Sequence, residues 1–224
     1  MSEVTALKTR LREAISNCRP DGTYEDAVYD EIHALIEKVV PHTPTPSPYE
    51  NQGYVESPWG SEYAQFGPRH TAGKPIRHET NLALQSFSVF PKSPIKVEDI
   101  DQEIRVDGNH YNNVSQITTV DGTYPATLIV WGRYNLLPEE PMRYVVDFFS
   151  VELVPNEEGV DPDAFRAAYG LEPGSDLRRD LKRSPKLHSD VVYCDDDMRI
   201  NYGSLGGIYV LRRLHSEGKS VSFA

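Results

Sequence analysis

From Ile100 to Asp107 the chain alternates without a break: Ile100, Gln102, Ile104 and Val106 are separated by Asp101, Glu103, Arg105 and Asp107. A period of two sends successive side chains to opposite faces, so the segment reads as a strand with one wet face. Asp107-Gly108 supplies a turn, Tyr111 to Thr119 returns, and Asp121-Gly122 turns again. Two more β-rich runs, Ala126 to Tyr134 and Arg143 to Leu153, flank Pro138-Glu139-Glu140-Pro141. Four strands in meander order follow from this pattern. Asn81 to Phe90 reads as an earlier strand, and the end of the chain reads as two strands joined by a charged elbow and a glycine turn. The total is about seven or eight strands at the even spacing of a sandwich or a barrel.

Two helices precede this sheet. The first runs from about Ser2 to Ser16, with Val4, Leu7, Leu11 and Ile15 on one stripe, and Pro20-Asp21-Gly22 breaks it. The second is expected to start at Thr23, a capping hydroxyl with Asp26 in the reciprocal position, and shows Val28, Ile32, Leu35, Ile36 and Val39 on one face. Each stripe demands a partner surface. Pro41-His42-Thr43-Pro44-Thr45-Pro46-Ser47-Pro48 then forms a stiff, extended connector. A short helix is expected near 161–170, where Asp161 caps, Pro162 occupies the first turn and Gly170 ends it. The organisation is thus a helix pair over 1–40, a Pro-rich connector over 41–58, and a β domain over 59–224 with one inserted helix.

With 224 residues and 38% hydrophobic positions, the chain can bury one sizeable core. A net charge of −11 excludes a nucleic-acid partner, whose phosphates need clustered Lys and Arg. The one basic cluster, Arg178 to Arg183, is interrupted by Asp180 and reads as a solvated face. Cys18 and Cys194 lack metal spacing and read as free thiols, and no window has the apolar length of a membrane span. Asn113-Val114-Ser115 fits a glycosylation sequon, but a secretory route is not expected and the match reads as accidental.

The closing stretch, Val191-Val192-Tyr193-Cys194-Asp195-Asp196-Asp197-Met198-Arg199-Ile200 followed by Gly203, Gly206-Gly207 and Ile208-Tyr209-Val210-Leu211, resembles the final motif of the plastid-lipid-associated proteins, or plastid fibrillins. The helix pair and the segment Ile100 to Leu153, with Gln102 and Asn113, are similar to the same family. The resemblance implies a lipocalin-like closed antiparallel barrel of about eight strands around a cavity for a hydrophobic molecule. Two departures stand out: Pro58 to Phe66 is more polar than the family's first strand, and Tyr202 stands where a second Arg is usual. Met1-Ser2-Glu3-Val4 leads straight into a helix, so the expectation is a bacterial-type cytoplasmic protein, or a plastid protein whose transit peptide has been removed.

Candidate site residues fall into three groups. Asp195, Asp197 and Arg199 would share one strand face, as a carboxylate–guanidinium clamp that either anchors a ligand or closes the barrel as a salt bridge. Trp131, Tyr134, Tyr144, Phe148 and Tyr209 supply aromatic walls to a ligand cavity or to a plain core, with Gln102 and Asn113 as polar groups inside. His78, oriented by Glu79, is the candidate general base in a Gly- and Pro-rich loop from Gly67 to Glu79. No nucleophile elbow, phosphate loop, dinucleotide fingerprint or zinc motif is present, so no cofactor or metal is expected.

The expected function is binding of an isoprenoid, carotenoid, quinone or acyl lipid inside the barrel. The alternative is an enzyme of the same fold, a cyclase or isomerase of a polyunsaturated or polyketide-type molecule, which needs little beyond a positioned acid or base. A third reading has the helix pair docking a partner protein, and peripheral contact with a membrane is compatible with each.

Overall fold

The computed structural model describes residues 2–19, 24–65, 82–83, 89–183 and 186–214. The helix pair is α1 (Glu3–Ser16) and α2 (Asp26–Val39), and a short α3 (Gln52–Val55) follows the connector. The strands are β1 (Ser57–Gln65), β2 (Leu82–Ala83), β3 (Pro94–Arg105), β4 (His110–Thr119), β5 (Pro125–Leu137) and β6 (Glu140–Pro155). After α4 (Pro162–Ala168) come β7 (Arg178–Asp180), β8 (Lys186–Cys194), β9 (Met198–Gly203) and β10 (Gly207–Arg213).

All neighbouring strands are antiparallel, and β1 closes the sheet into a barrel. Ser57 to Gly60 pair with β3 on one side, aligning Trp59 with Gln102, and Trp59 to Gln65 pair with β10 on the other, aligning Ala64 with Tyr209. The closed ring is β1, β3, β4, β5, β6, β8, β9 and β10, with β2 added beside β3 and β7 beside β6. Full closure removes the free edges that an open sheet of this size would expose to aggregation. The meander is as the alternation predicts, and Pro58 to Gln65, the polar stretch, is a barrel strand.

The end of the chain holds three strands where two were expected. The carboxylate run is itself a hairpin turn: the backbone amides of Asp197 and Met198 donate to Asp195 Oδ1 at 3.0 and 2.8 Å, reversing the chain between β8 and β9. The glycine turn then reverses it a second time, with Gly206 at a φ of 80°.

Each helical stripe is buried on the outside of β1, β8, β9 and β10. Leu11, Ala14 and Ile15 of α1 and Ile32, Leu35, Ile36 and Val39 of α2 join Tyr63, Tyr193, Met198, Ile200 and Val210 in one cluster. Each fully buried Leu or Ile contributes roughly 1.5–3 kcal/mol, so this seam fixes the helices firmly. α2 begins at Asp26 with Glu25 as its cap and no side-chain capping bond; Thr23 lies outside the described residues. The connector is tied to the sheet: the amide of Cys194 donates to Thr43 Oγ1 at 3.1 Å, and the Thr45 hydroxyl donates to the Cys194 carbonyl.

The two ends of the barrel are closed differently. At the end where β3 and β5 begin, α4 inserts Phe165 and Tyr169 into the interior core, and the Tyr169 hydroxyl donates to the Tyr124 carbonyl at 2.7 Å. Asp161 caps that helix by accepting from the amides of Asp163 and Ala164. At the opposite end α3 buries Val55, whose carbonyl accepts from Trp59 Nε1 at 2.9 Å. No helix among the described residues is long and apolar enough to cross a membrane.

Candidate functional site

The interior changes character along its length. Toward α4 it is apolar, lined by Ile95, Ile117, Leu128 and Leu153. Toward α3 the lining becomes aromatic and polar. Tyr134 and Tyr144 meet edge to face with ring centroids 4.7 Å apart, and Tyr111 lies 5.6 Å from Tyr144. Arg199, fully buried, sits among them.

Strand alternation explains how a guanidinium comes to be there. On β9, Met198 and Ile200 face the helix pair, which leaves Arg199 and Asn201 to face inward. Arg199 Nη2 donates to Gln102 Oε1 at 2.5 Å, and its guanidinium lies over the Trp59 ring, 4.8 Å from the centroid. Gln102 Oε1 is a hub: it also accepts from the Tyr111 hydroxyl at 3.1 Å and from Asn201 Nδ2 at 3.4 Å, while Gln102 Nε2 donates to Asn113 Oδ1 at 3.2 Å. Asn201 Nδ2 reaches Ser189 Oγ at 3.0 Å as well.

The network is incomplete. Arg199 Nε and Nη1, the Tyr144 hydroxyl and Asn201 Oδ1 are buried without hydrogen-bond partners. Native interiors pair nearly all such groups, because an unmet buried polar group costs about 1–3 kcal/mol and a charged one more. Burial pushes the Arg199 guanidinium below its ordinary value, against the opposing influence of Tyr111, Cys194 and Tyr144. Burial also raises the hydroxyls: Tyr134 and Tyr209 each to about 12, and Tyr144 further. These phenols therefore stay neutral donors at physiological pH. Arg213, also over the Trp59 ring at 4.3 Å, is fully engaged, donating to the carbonyls of Tyr54, Glu56, Asp195 and Asp196.

Seven of the expected site residues come together here. Gln102, Asn113 and Arg199 belong to the polar network, and Tyr134, Tyr144, Phe148 and Tyr209 to the interior core. Trp131 does not join them. It packs outside the barrel with Val114 and Ile129, donates from Nε1 to Glu152 Oε2 at 2.8 Å, and carries Arg178 over its ring at 5.3 Å. The reason is parity: Leu128, Val130 and Tyr134 point inward, and Trp131 stands an odd number of positions from each.

Asp195 and Asp197 likewise do not share a face with Arg199, because both lie in the turn before β9 begins. Lys8 Nζ donates to Asp195 Oδ2 at 2.6 Å and also bonds Asp197, which pairs in addition with Arg12 at 3.0 Å. Asp196 accepts from the Tyr54 hydroxyl at 2.8 Å. The three carboxylates thus fasten α1 and α3 to the barrel. Burial opposes the ionisation of Asp195, yet donors from Lys8, Tyr193 and Asp197 hold it well below the usual carboxylate range.

Sequence reasoning overlooked Trp59, Tyr111, Ser189 and Asn201. A period-two reading would have found two of them: Asn201 is two positions from Arg199, and Tyr111 two from Asn113. His78 and Glu79, with the loop from Gly67 to Glu79, lie outside the described residues. Burial raises the Cys194 thiol to about 11, which makes it an inert core residue. Among the described residues no group of three His, Cys, Asp or Glu side chains converges to hold a metal ion. No family model, no curated protein and no solved structure matches the chain.

Proposed function

We propose that this protein binds an apolar small molecule, an isoprenoid, carotenoid, quinone or acyl chain, within its barrel. The observation that carries the reading is the interior itself: a closed eight-stranded ring whose lining passes from aliphatic to aromatic and ends in unpaired polar atoms. Barrels of eight strands have the width to surround one small ligand. Trp59, Tyr134, Tyr144, Phe148 and Tyr209 form its walls, and apolar walls with a few convergent polar groups are how such ligands are held and oriented. The likeness of Val191 to Leu211 to the closing motif of the plastid fibrillins supports the same reading. α3 and α4 serve as the two lids, and the helix pair braces the wall between β1 and β8.

The test is direct. Protein purified from its host is extracted into organic solvent, and the stripped protein is titrated with a quinone, a carotenoid and a fatty acid. The expected outcome is saturable uptake of at least one, at one molecule per chain, accompanied by quenching of tryptophan fluorescence. Absence of both a co-purified apolar molecule and saturable uptake overturns the reading.

A further inference from the structure

We infer that the ligand of this interior carries a carboxylate, which Arg199 binds while the apolar body lies toward α4. The inference rests on the binding function proposed above and narrows it to one chemical class, apolar acids.

Three observations carry it. The first is a charge without a counter-charge: Arg199 is fully buried, and among the described residues no carboxylate reaches it. Its one hydrogen bond goes to the neutral Gln102 amide oxygen, and its Nε–H and Nη1–H donors face no acceptor. An isolated cation in a dry interior costs several kcal/mol, and structures meet that cost with an anion. The acids nearest along the chain are already engaged: Asp197 with Lys8 and Arg12, Asp196 with the Tyr54 hydroxyl, and Asp195 with Lys8 and Tyr193.

The second is the Tyr144 hydroxyl, a second buried donor without a partner in the same half of the barrel. A guanidinium with a neutral phenol beside it matches the acceptor-only character of a carboxylate. The third is the polarity gradient. Ile95, Ile117, Leu128 and Leu153 at the α4 end suit a hydrocarbon, while Arg199, Gln102 and the tyrosines stand at the α3 end. A neutral carotenoid or hydrocarbon would leave Arg199 as it is, whereas an acid completes the donor set and fills the rest.

The experiment compares cis-parinaric acid with its methyl ester, two probes of equal length that differ in the charge of the head, by their fluorescence on binding. The acid is expected to bind at least tenfold more tightly than the ester. Arg199→Gln is expected to reduce that ratio to near unity by weakening the acid alone. Tyr144→Phe, which keeps the ring and hence the packing, is expected to lower the acid-to-ester ratio about threefold, so the result stands even where Arg199→Gln fails to fold. Equal binding of acid and ester by the unaltered protein overturns the carboxylate assignment and leaves apolar binding intact. An acid preference that survives in both variants overturns Arg199 as its source. If neither probe binds, the carboxylate assignment falls, and the binding function is decided separately by the extraction and by the quinone and carotenoid titrations.

Discussion

Lys8 Nζ lies 2.6 Å from Asp195 Oδ2, joining the first helix to the β8–β9 turn across 187 positions of sequence. Both side chains are largely shielded from water, and Asp195 also orders its own turn through the amides of Asp197 and Met198. Removing this carboxylate therefore breaks a pair and a turn together. Asp195→Ala is expected to cost about 3 kcal/mol in urea unfolding, and Lys8→Met about 1–2 kcal/mol, since the latter leaves the turn intact.

The same pair sets a low-pH limit. The native Asp195 carboxyl titrates below its unfolded value, so its stabilisation is complete above about pH 4, the ordinary carboxylate value, and fades as pH falls toward the native one. Asp195→Asn should flatten the acid limb of a plot of stability against pH. An unchanged acid limb would show that the pair does not govern it.

Asp101 predicts the opposite slope. It lies on β3 beside β1, its Oδ1 is buried without a partner, and burial, with the charge of Asp99, raises its carboxyl to about 7 against the opposing charge of Arg212. A carboxyl that titrates higher in the native state favours folding while protonated, so stability should decline as pH rises from about 4 to about 7. Asp101→Asn is expected to remove that decline and to raise stability at pH 8 by about 1 kcal/mol, a value discounted for partial access of water. Thermal melts at pH 5 and pH 8 measure it.

Gly132 marks the register shift between β5 and β6. A Cβ there would collide with the Tyr111 carbonyl oxygen and come within 2.9 Å of the Phe148 ring. Gly132→Ala is expected to destabilise by about 2–3 kcal/mol through overpacking. It should also weaken any ligand that uses Tyr111 and Phe148, which a titration of the folded variant would reveal.

The two tryptophans make the position of the site measurable. Trp59 touches Arg199, whereas Trp131 is outside the barrel, stacked against Arg178. Trp131→Phe should preserve ligand-induced quenching, and Trp59→Phe should abolish most of it. The reverse result would move the site to the outer face.

Local pattern made the meander, the helix pair and the α4 insertion legible, because strands of period two, amphipathic stripes and an Asp–Pro start are encoded within a few residues. The polar centre was half legible. Gln102, Asn113 and Arg199 lie on three different strands, so their meeting depends on register, which a shift of one residue would reverse. Trp131 shows the limit from the other side, since its aromatic character suggested a wall while its odd spacing from Tyr134 sends it outside. The carboxylate run misled for a related reason: read as a strand, it alternates with Arg199, but as a turn it belongs to the helices. Closure by β1 could not be read locally at all, because Trp59 finds Gln102 on one side and Arg213 on the other.

That closure also governs how the chain reaches its fold during synthesis. β1 acquires its second partner only with residues 207–213, so a nascent chain can complete the meander and dock β1 on β3 while the ring still gapes between β1 and β9. Contacts this distant in sequence slow folding, and two unpaired strand edges persist until they form. Among the described residues β10 is the last strand in chain order, and it is the one that seals the first.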